Sequence, residues 1–394
     1  MSFLQRLALL LTMLTLLMAC GSTESTMPEV TQPTQGITQD QDGTTANNAN
    51  ELEPTDPPAT IAPPTPTEAS TATPIPTETP MPTEPGSSRS TPLPHGSEIS
   101  FEDWAVTITD VLRGAEANQA IASANQFNDP APEGWYYLIA TLHLTNIATD
   151  QEAKSVSFAI DLRLTGDRNI LYSPASVVVP QRLEGELFPE GSTVGQLAFL
   201  VPTDEHNLMF YVNERMSFDR DKRRFVAIDE GATISPDPAL ADQTPTDEGR
   251  TRANPATMGN TTISPAWEIT LLEVRRGDEA AQAITDANRF NEPAPEGEAY
   301  ILAYVRVRYL GQRDADHVSE ISQSNFKVTG SANIIYPRPS VVPPTPKLEA
   351  RLYPGGYTEG WVVVQAGIDD HDLMLIYEPM LDFSSENRHF LRIE

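Results

Sequence analysis

The sequence predicts a mainly β protein: two tandem β-sandwich domains, each with one short helix, behind a long tether with no core of its own. Three observations carry that prediction. The stretch after the N-terminal leader is almost free of aromatic and long aliphatic residues. A unit of about 130 residues, a common domain size, is written twice. Within each copy apolar residues alternate with period two, the mark of a half-buried strand.

The leader comes first. Arg6 is followed by an apolar run from Leu7 to Met18, then Ala19, Cys20 and Gly21. A run of about a dozen residues is a signal-peptide core, well short of the roughly 20 needed to span a bilayer. Leu17-Met18-Ala19-Cys20-Gly21 resembles a bacterial lipoprotein signal, in which the cysteine is lipidated and becomes the mature N-terminus. The resemblance implies a leader over 1–19, an acylated Cys20 and two or three acyl chains in membrane lipid. Each buried methylene is worth about 0.8 kcal/mol, so two chains hold a protein stably. The expected location is the cell membrane, lipid-anchored and facing the extracytoplasmic side. Cys20 is the sole cysteine, which excludes a disulfide, a thiolate nucleophile or a Cys-based zinc site in the exported domains.

Residues 20–99 read as a disordered Pro/Thr-rich tether. Segments such as Pro63-Pro64-Thr65-Pro66-Thr67 bury too little apolar surface to offset the entropy of ordering. Proline biases them to polyproline II at roughly 3.1 Å per residue, for a reach on the order of 200 Å.

The repeat then begins. Trp104-Ala105-Val106-Thr107-Ile108 returns as Trp267-Glu268-Ile269-Thr270-Leu271, an offset of 163 residues. Asn125-x-Phe127-Asn128-x-Pro130-Ala131-Pro132-Glu133-Gly134 returns at the same offset as Asn288-x-Phe290-Asn291-x-Pro293-Ala294-Pro295-Glu296-Gly297. The offset grows to 164 at Thr165-Gly166 and Tyr172, and to 165 at Leu187, Pro189, Gly191, His206 and Phe225. Single-residue slips mark surface loops. Domains at 100–229 and 258–394 follow, joined by an acidic linker over 230–257.

Inside each copy, Leu138, Ala140, Leu142 and Leu144 (Ile301, Ala303, Val305 and Val307 in the second) define one apolar face of a long strand. Val156, Phe158, Ile160, Leu162 and Leu164 predict another strand, and Leu197, Phe199 and Val201 a third. Short strands are expected at Asn207–Val212 and Arg224–Ile228. Ala117, Ile121 and Ala124 (Ala280, Ile284 and Ala287) recur at helical spacing, so a short helix follows Gly114 and Gly277 and stops at the proline-rich turn. Some seven or eight short strands per copy argue a sandwich.

Trp-x-Val/Ile-Thr, the helix, Asn-x-Phe-Asn, Pro-Ala-Pro-Glu-Gly and Leu-x-Pro-x-Gly together resemble a domain of unknown function common in bacterial extracellular lipoproteins. That family is similar to a secreted immunoprotective antigen with an immunoglobulin-like, telokin-like sandwich. The resemblance covers both copies and implies that fold; it supplies no catalytic residues.

The net charge of −29 argues against nucleic acid, whose binders need phosphate-neutralising Lys and Arg. No nucleophile elbow, Walker loop or dinucleotide fingerprint appears, so neither an enzyme nor a cofactor is expected. His206 and His371 sit beside carboxylates, but a metal site needs three or four converging ligands, and none is expected. Two candidate ligand surfaces stand out. One is the duplicated loop: Asn125, Phe127 and Asn128, with Asn288, Phe290 and Asn291. Either it is structural, its aromatic plugging the sandwich edge and its asparagines satisfying the turn, or it holds a ligand. The other is the outer face of the second copy's long strand, Tyr300, Tyr304, Arg306 and Arg308, whose residue types are enriched at binding hot spots. The expected function is non-catalytic binding or adhesion, to an envelope glycan or protein. The alternatives are an envelope spacer or display scaffold, or an extracellular hydrolase.

Overall fold

The computed structural model describes residues 84–215, 222–311, 314–379 and 385–393. The leader, Cys20 and the tether as far as residue 83 lie outside the described residues. No helix among the described residues is long and apolar enough to cross a membrane. The described residues form one compact unit.

That unit contains two β-sandwiches of matching topology. In the first, β1 (Glu98–Ser100), β2 (Trp104–Arg113), β3 (Trp135–Asn146) and β7 (Ser192–Pro202) form an antiparallel sheet in that order. It faces β5 (Ile160–Thr165), β8 (Met209–Glu214) and β9 (Arg224–Ala227), while β4 (Lys154–Ser155) pairs with β6 (Glu186–Leu187). The second repeats this with β10 (Thr261–Ile263), β11 (Trp267–Arg275), β12 (Glu298–Tyr309) and β16 (Tyr357–Gly367). Facing it are β14 (Phe326–Thr329), β17 (Met374–Tyr377) and β18 (His389–Arg392), with β13 (Ser319–Ser322) on β15 (Glu349–Leu352). Even the irregularity repeats. The β2–β3 register shifts between Ile108 and Asp110, and the β11–β12 register between Leu271 and Glu273.

The alternation read from sequence is the core. Leu138, Ala140, Leu142 and Leu144 of β3 meet Leu162, Leu164, Phe210 and Val212 of the facing sheet. Ile301, Ala303, Val305 and Val307 do the same in the second sandwich. Helices α1 (Ala115–Ala124) and α2 (Gly277–Ala287) lie on the other face of the long sheets. Ala117 and Ile121 of α1 pack on Tyr137, Ile139 and Ala198; Ala280 and Ile284 of α2 pack on Tyr300, Leu302 and Val363.

One expected strand is shorter than its pattern. Val156–Phe158 forms a 3-10 turn, and β5 starts only at Ile160. Phe158 is exposed in consequence. Apolar residues at i and i+2 do not distinguish a strand from the turn that precedes it.

The repeat is also longer than the sequence comparison showed. Residues 84–99, grouped with the tether by composition, are built into the fold. Phe225 N–H donates to Gly86 C=O (2.7 Å), Leu93 N–H to Phe225 C=O (2.8 Å) and Ala227 N–H to Leu93 C=O (2.8 Å). The end of the linker does the same for the second sandwich. Phe390 N–H donates to Gly249 C=O (2.8 Å), Ala256 N–H to Phe390 C=O (2.9 Å) and Arg392 N–H to Ala256 C=O (2.8 Å). Gly, Pro and Ser suit this irregular edge segment as well as they suit a linker, so composition alone does not separate the two.

The sandwiches meet at Arg89. Its guanidinium is buried, with Nε 2.7 Å from Asp316 Oδ1, NH1 donating to Asn169 Oδ1 (2.6 Å) and NH2 to the Ala315 carbonyl (2.9 Å). It stacks 3.8 Å from the Tyr353 ring centre. Around it Leu171, Met209, Phe225, Ala232 and Tyr353 form one apolar cluster. Across it the backbone pairs, Leu171 N–H to Arg351 C=O (2.8 Å) and Tyr353 N–H to Asn169 C=O (2.9 Å). Ala232 brings the start of the linker into the same contact.

Removing one partner of a buried ion pair leaves the other charge unpaired, at a cost of about 3–5 kcal/mol. Asp316→Ala is expected to destabilise the compact unit by that order, read by urea unfolding. A second expectation concerns His389, buried against Thr262 (Nδ1 to Oγ1 3.1 Å), whose Nε2 has no partner among the described residues. Burial holds its pKa down at about 3. The unfolded chain therefore binds a proton that the fold refuses between pH 6.5 and about 3, and stability falls as pH drops through that window. In His389→Phe the component of this loss above pH 5, where carboxylates contribute little, should disappear from denaturation midpoints measured against pH.

Candidate ligand-binding surface

The duplicated loop is built by its asparagines. Asn125 ends α1, and its Oδ1 accepts the Phe127 N–H (3.0 Å). Asn128 Nδ2 donates to the Ile121 carbonyl (2.7 Å) and the Val178 carbonyl (2.8 Å), and its Oδ1 accepts Val178 N–H (2.9 Å). One side chain thus ties the helix end to the strap that crosses it. The second copy repeats every bond. Asn288 accepts Phe290 N–H (3.1 Å), and Asn291 bonds Ile284 C=O (2.7 Å), Val342 C=O (2.9 Å) and Val342 N–H (2.8 Å). The loop then closes in a four-residue turn. Trp135 N–H donates to Pro132 C=O and Glu298 N–H to Pro295 C=O, each at 3.0 Å. Gly134 (φ 78°) and Gly297 (φ 82°) take the left-handed position of that turn.

The phenylalanines take no part in this. Phe127 is 82% exposed and Phe290 75% exposed. The expectation that the aromatic plugs the sandwich edge is therefore corrected. Alanines from the same loops, Ala131 and Ala294, pack against the helix clusters instead. The Arg289 guanidinium lies 4.7 Å from the Phe290 ring centre, so the second ring carries a positive neighbour.

The outer face of β12 is divided. Tyr300 is 7% exposed beneath α2, and its hydroxyl donates to the Glu292 carbonyl (3.0 Å). It is a structural tyrosine, as is Tyr137 with Asp129 (3.0 Å); burial raises the pKa of both. Tyr304 is half-buried, its ring 4.9 Å from that of Trp361, over which Arg275 sits at 4.5 Å. Arg306 Nε pairs with Glu359 (2.6 Å), and Arg308 lies 3.7 Å from Glu268. Trp361 and Arg275 come from other strands, so the sequence pattern of β12 alone did not reveal them. The first copy has Gln196 and Leu112 at these places, which makes this stack a feature of the second sandwich only.

The residues shared around His206 and His371 have a structural account. Tyr172 OH donates to Glu205 Oε2 (2.5 Å), and Tyr336 OH to Asp370 Oδ2 (2.9 Å). Glu205 accepts Arg168 N–H (2.9 Å) and Asp370 accepts Ala332 N–H (3.0 Å). A Cβ on Gly166 would lie 2.3 Å from Glu205 Oε1, and one on Gly330 2.4 Å from Asp370 Oδ2. The glycines make room for the carboxylate of a loop clasp. Burial raises the Glu205 pKa, whereas the Ser331 hydroxyl, followed by backbone N–H groups, holds Asp370 down at about 2. Among the described residues no three His, Cys, Asp or Glu side chains are grouped to hold a metal ion.

No family model matches the chain, and no curated protein matches it. Three solved structures show a distant similarity to parts of the chain. The yjhA protein of Bacillus subtilis is 15% identical, over 35% of this chain and 99% of its own, with a TM-score of 0.26. An uncharacterized β-sandwich protein of Clostridium difficile is 13% identical, over 37% of this chain and 100% of its own, with a TM-score of 0.26. The ycdA protein of Bacillus subtilis, provisionally described as a lipoprotein, is 11% identical, over 53% of this chain and 72% of its own, with a TM-score of 0.25.

Holding the loop and standing in solvent fall to different residues. Asn128→Ala strands backbone groups and should cost about 1–3 kcal/mol in urea unfolding. Phe127→Ala, at an exposed position, should change stability by less than about 0.5 kcal/mol.

Proposed function

We propose that the chain is a lipid-anchored cell-surface protein, held by acylated Cys20 on the extracytoplasmic side of the membrane. In this reading its two immunoglobulin-like sandwiches bind a component of the cell envelope, glycan or protein, and perform no catalysis. The motif resemblance to a domain of bacterial extracellular lipoproteins agrees with this reading.

The observation that carries it is the pair Phe127 and Phe290. A single exposed aromatic needs no explanation. Here the same ring stands in solvent at the same place in both copies, on a loop whose asparagines are occupied in holding it there. Burial of an aromatic ring dominates many interfaces, and a preorganised loop loses little entropy on binding. Two such loops on one chain make the second contact intramolecular.

The test is co-sedimentation of the full-length protein with purified peptidoglycan sacculi and with whole envelope fragments. Phe127→Ala/Phe290→Ala should bind at least about 100-fold more weakly than the parent, and each single variant less severely. A double variant that binds like the parent overturns the reading. In cells, Cys20→Ser should move the protein from the membrane to the soluble fraction.

A further inference from the structure

The contact between the sandwiches is heterologous. The first sandwich offers one face, with Arg89, Asn169, Leu171 and Met209. The second offers a different one, with Asp316 and Tyr353. Because the sandwiches are repeats, each face has a counterpart that the chain itself does not cover.

The counterpart of the first face lies on the second sandwich. Arg252 stands where Arg89 stands, and Asn333 where Asn169 stands. Arg252 NH1 donates to Asn333 Oδ1 (2.7 Å), as Arg89 does to Asn169. Ile334 and Ile335 take the places of Ile170 and Leu171, and Met374 that of Met209. Leu171 is buried in the contact, whereas Ile335 is 60% exposed and Ile334 half exposed. Arg252, Ser331, Met374 and Arg392 line an open pocket of about 300 Å³ here.

The counterpart of the second face lies on the first sandwich. Phe188 stands where Tyr353 stands, 66% exposed instead of buried. Asp150-Gln151-Glu152 stands where Asp314-Ala315-Asp316 stands, and the turn is the same. Glu152 N–H donates to Asp150 Oδ1 (3.2 Å) as Asp316 N–H does to Asp314 Oδ1 (2.9 Å). Glu152, the counterpart of Asp316, is exposed. A Cβ on Gly356 would lie 2.3 Å from the Asn169 carbonyl oxygen across the contact, and Gly191 leaves the same opening on the first sandwich.

From these correspondences we infer that the chain associates head to tail with a second copy of itself, repeating its internal contact. Arg252 of one molecule pairs with Glu152 of the next and stacks on its Phe188, and Ile335 takes the place of Leu171. The charges are complementary, the apolar residues are exposed on both faces, and the geometry continues an interface already present within the chain. A heterologous contact extends into a ring or an open filament. With one such contact at each end of a molecule, the assembly is a single row of sandwiches, closed or open. The inference does not depend on the envelope-binding reading.

Sedimentation velocity of the full-length Cys20→Ser protein in detergent tests it. The protein should form concentration-dependent dimers and longer species. Arg252→Glu, or Glu152→Arg, should weaken association by at least about 30-fold. Mixing the two variants should restore it, since each then supplies the charge the other lacks. That rescue distinguishes loss of the contact from misfolding. A monomeric parent at all concentrations overturns the inference, as does association that Arg252→Glu leaves unchanged or that mixing fails to restore.

Discussion

The arrangement of the molecule depends on one buried guanidinium. Arg89 reaches from the edge segment of the first sandwich to the second, and it satisfies a carboxylate, an amide oxygen and a backbone carbonyl while stacking on Tyr353. A charge removed from water needs each of those partners. Supplying them fixes the distance and angle between domains that a bare linker would leave loose. Arg223 adds a bond from its NH1 to the Asp316 carbonyl (3.0 Å), so the acidic turn 314–316 is held from two sides.

That constraint changes what the duplication means. Independent copies on a string would each keep the same surface. Here the contact consumes one face of each and leaves its counterpart exposed, so two nearly equivalent folds present different surfaces to solvent. Divergence follows the same division. The first sandwich carries Gln196 and Thr141 where the second has Trp361 and Tyr304, yet both keep the loop of Asn125 and Asn288 bond for bond.

The loop shows how identity between repeats divides into two kinds. Asparagine, proline and glycine are shared because each satisfies a stated backbone need. Phenylalanine satisfies none: Phe127 and Phe290 stand in solvent in both copies. The carboxylate clasp beside His206 and His371 is the opposite case. There Tyr172 and Tyr336 hold the carboxylates of Glu205 and Asp370, and the shared glycines make room for them.

The sequence by itself determined the long strands, the helices and the duplication, because period-two and period-3.6 patterns are local; at Val156–Phe158, where the pattern continues into a 3-10 turn, it did not. It also marked the asparagine loop. Strand periodicity does not mark residues 84–99 and the linker's end as parts of the sandwiches, since their edge bonds use backbone groups; the sparse recurrence of Gly86, Arg89, Pro92 and Gly96 as Gly249, Arg252, Pro255 and Gly259 is their only trace in the sequence. Only tertiary structure decided which face of a strand is open. Tyr300 lies under a helix and Phe127 does not, although both are aromatic residues of a repeated motif. Only it decided that Arg89 is buried while Arg252 is exposed. The same residue type at the same place in the same fold differs there solely in what packs against it.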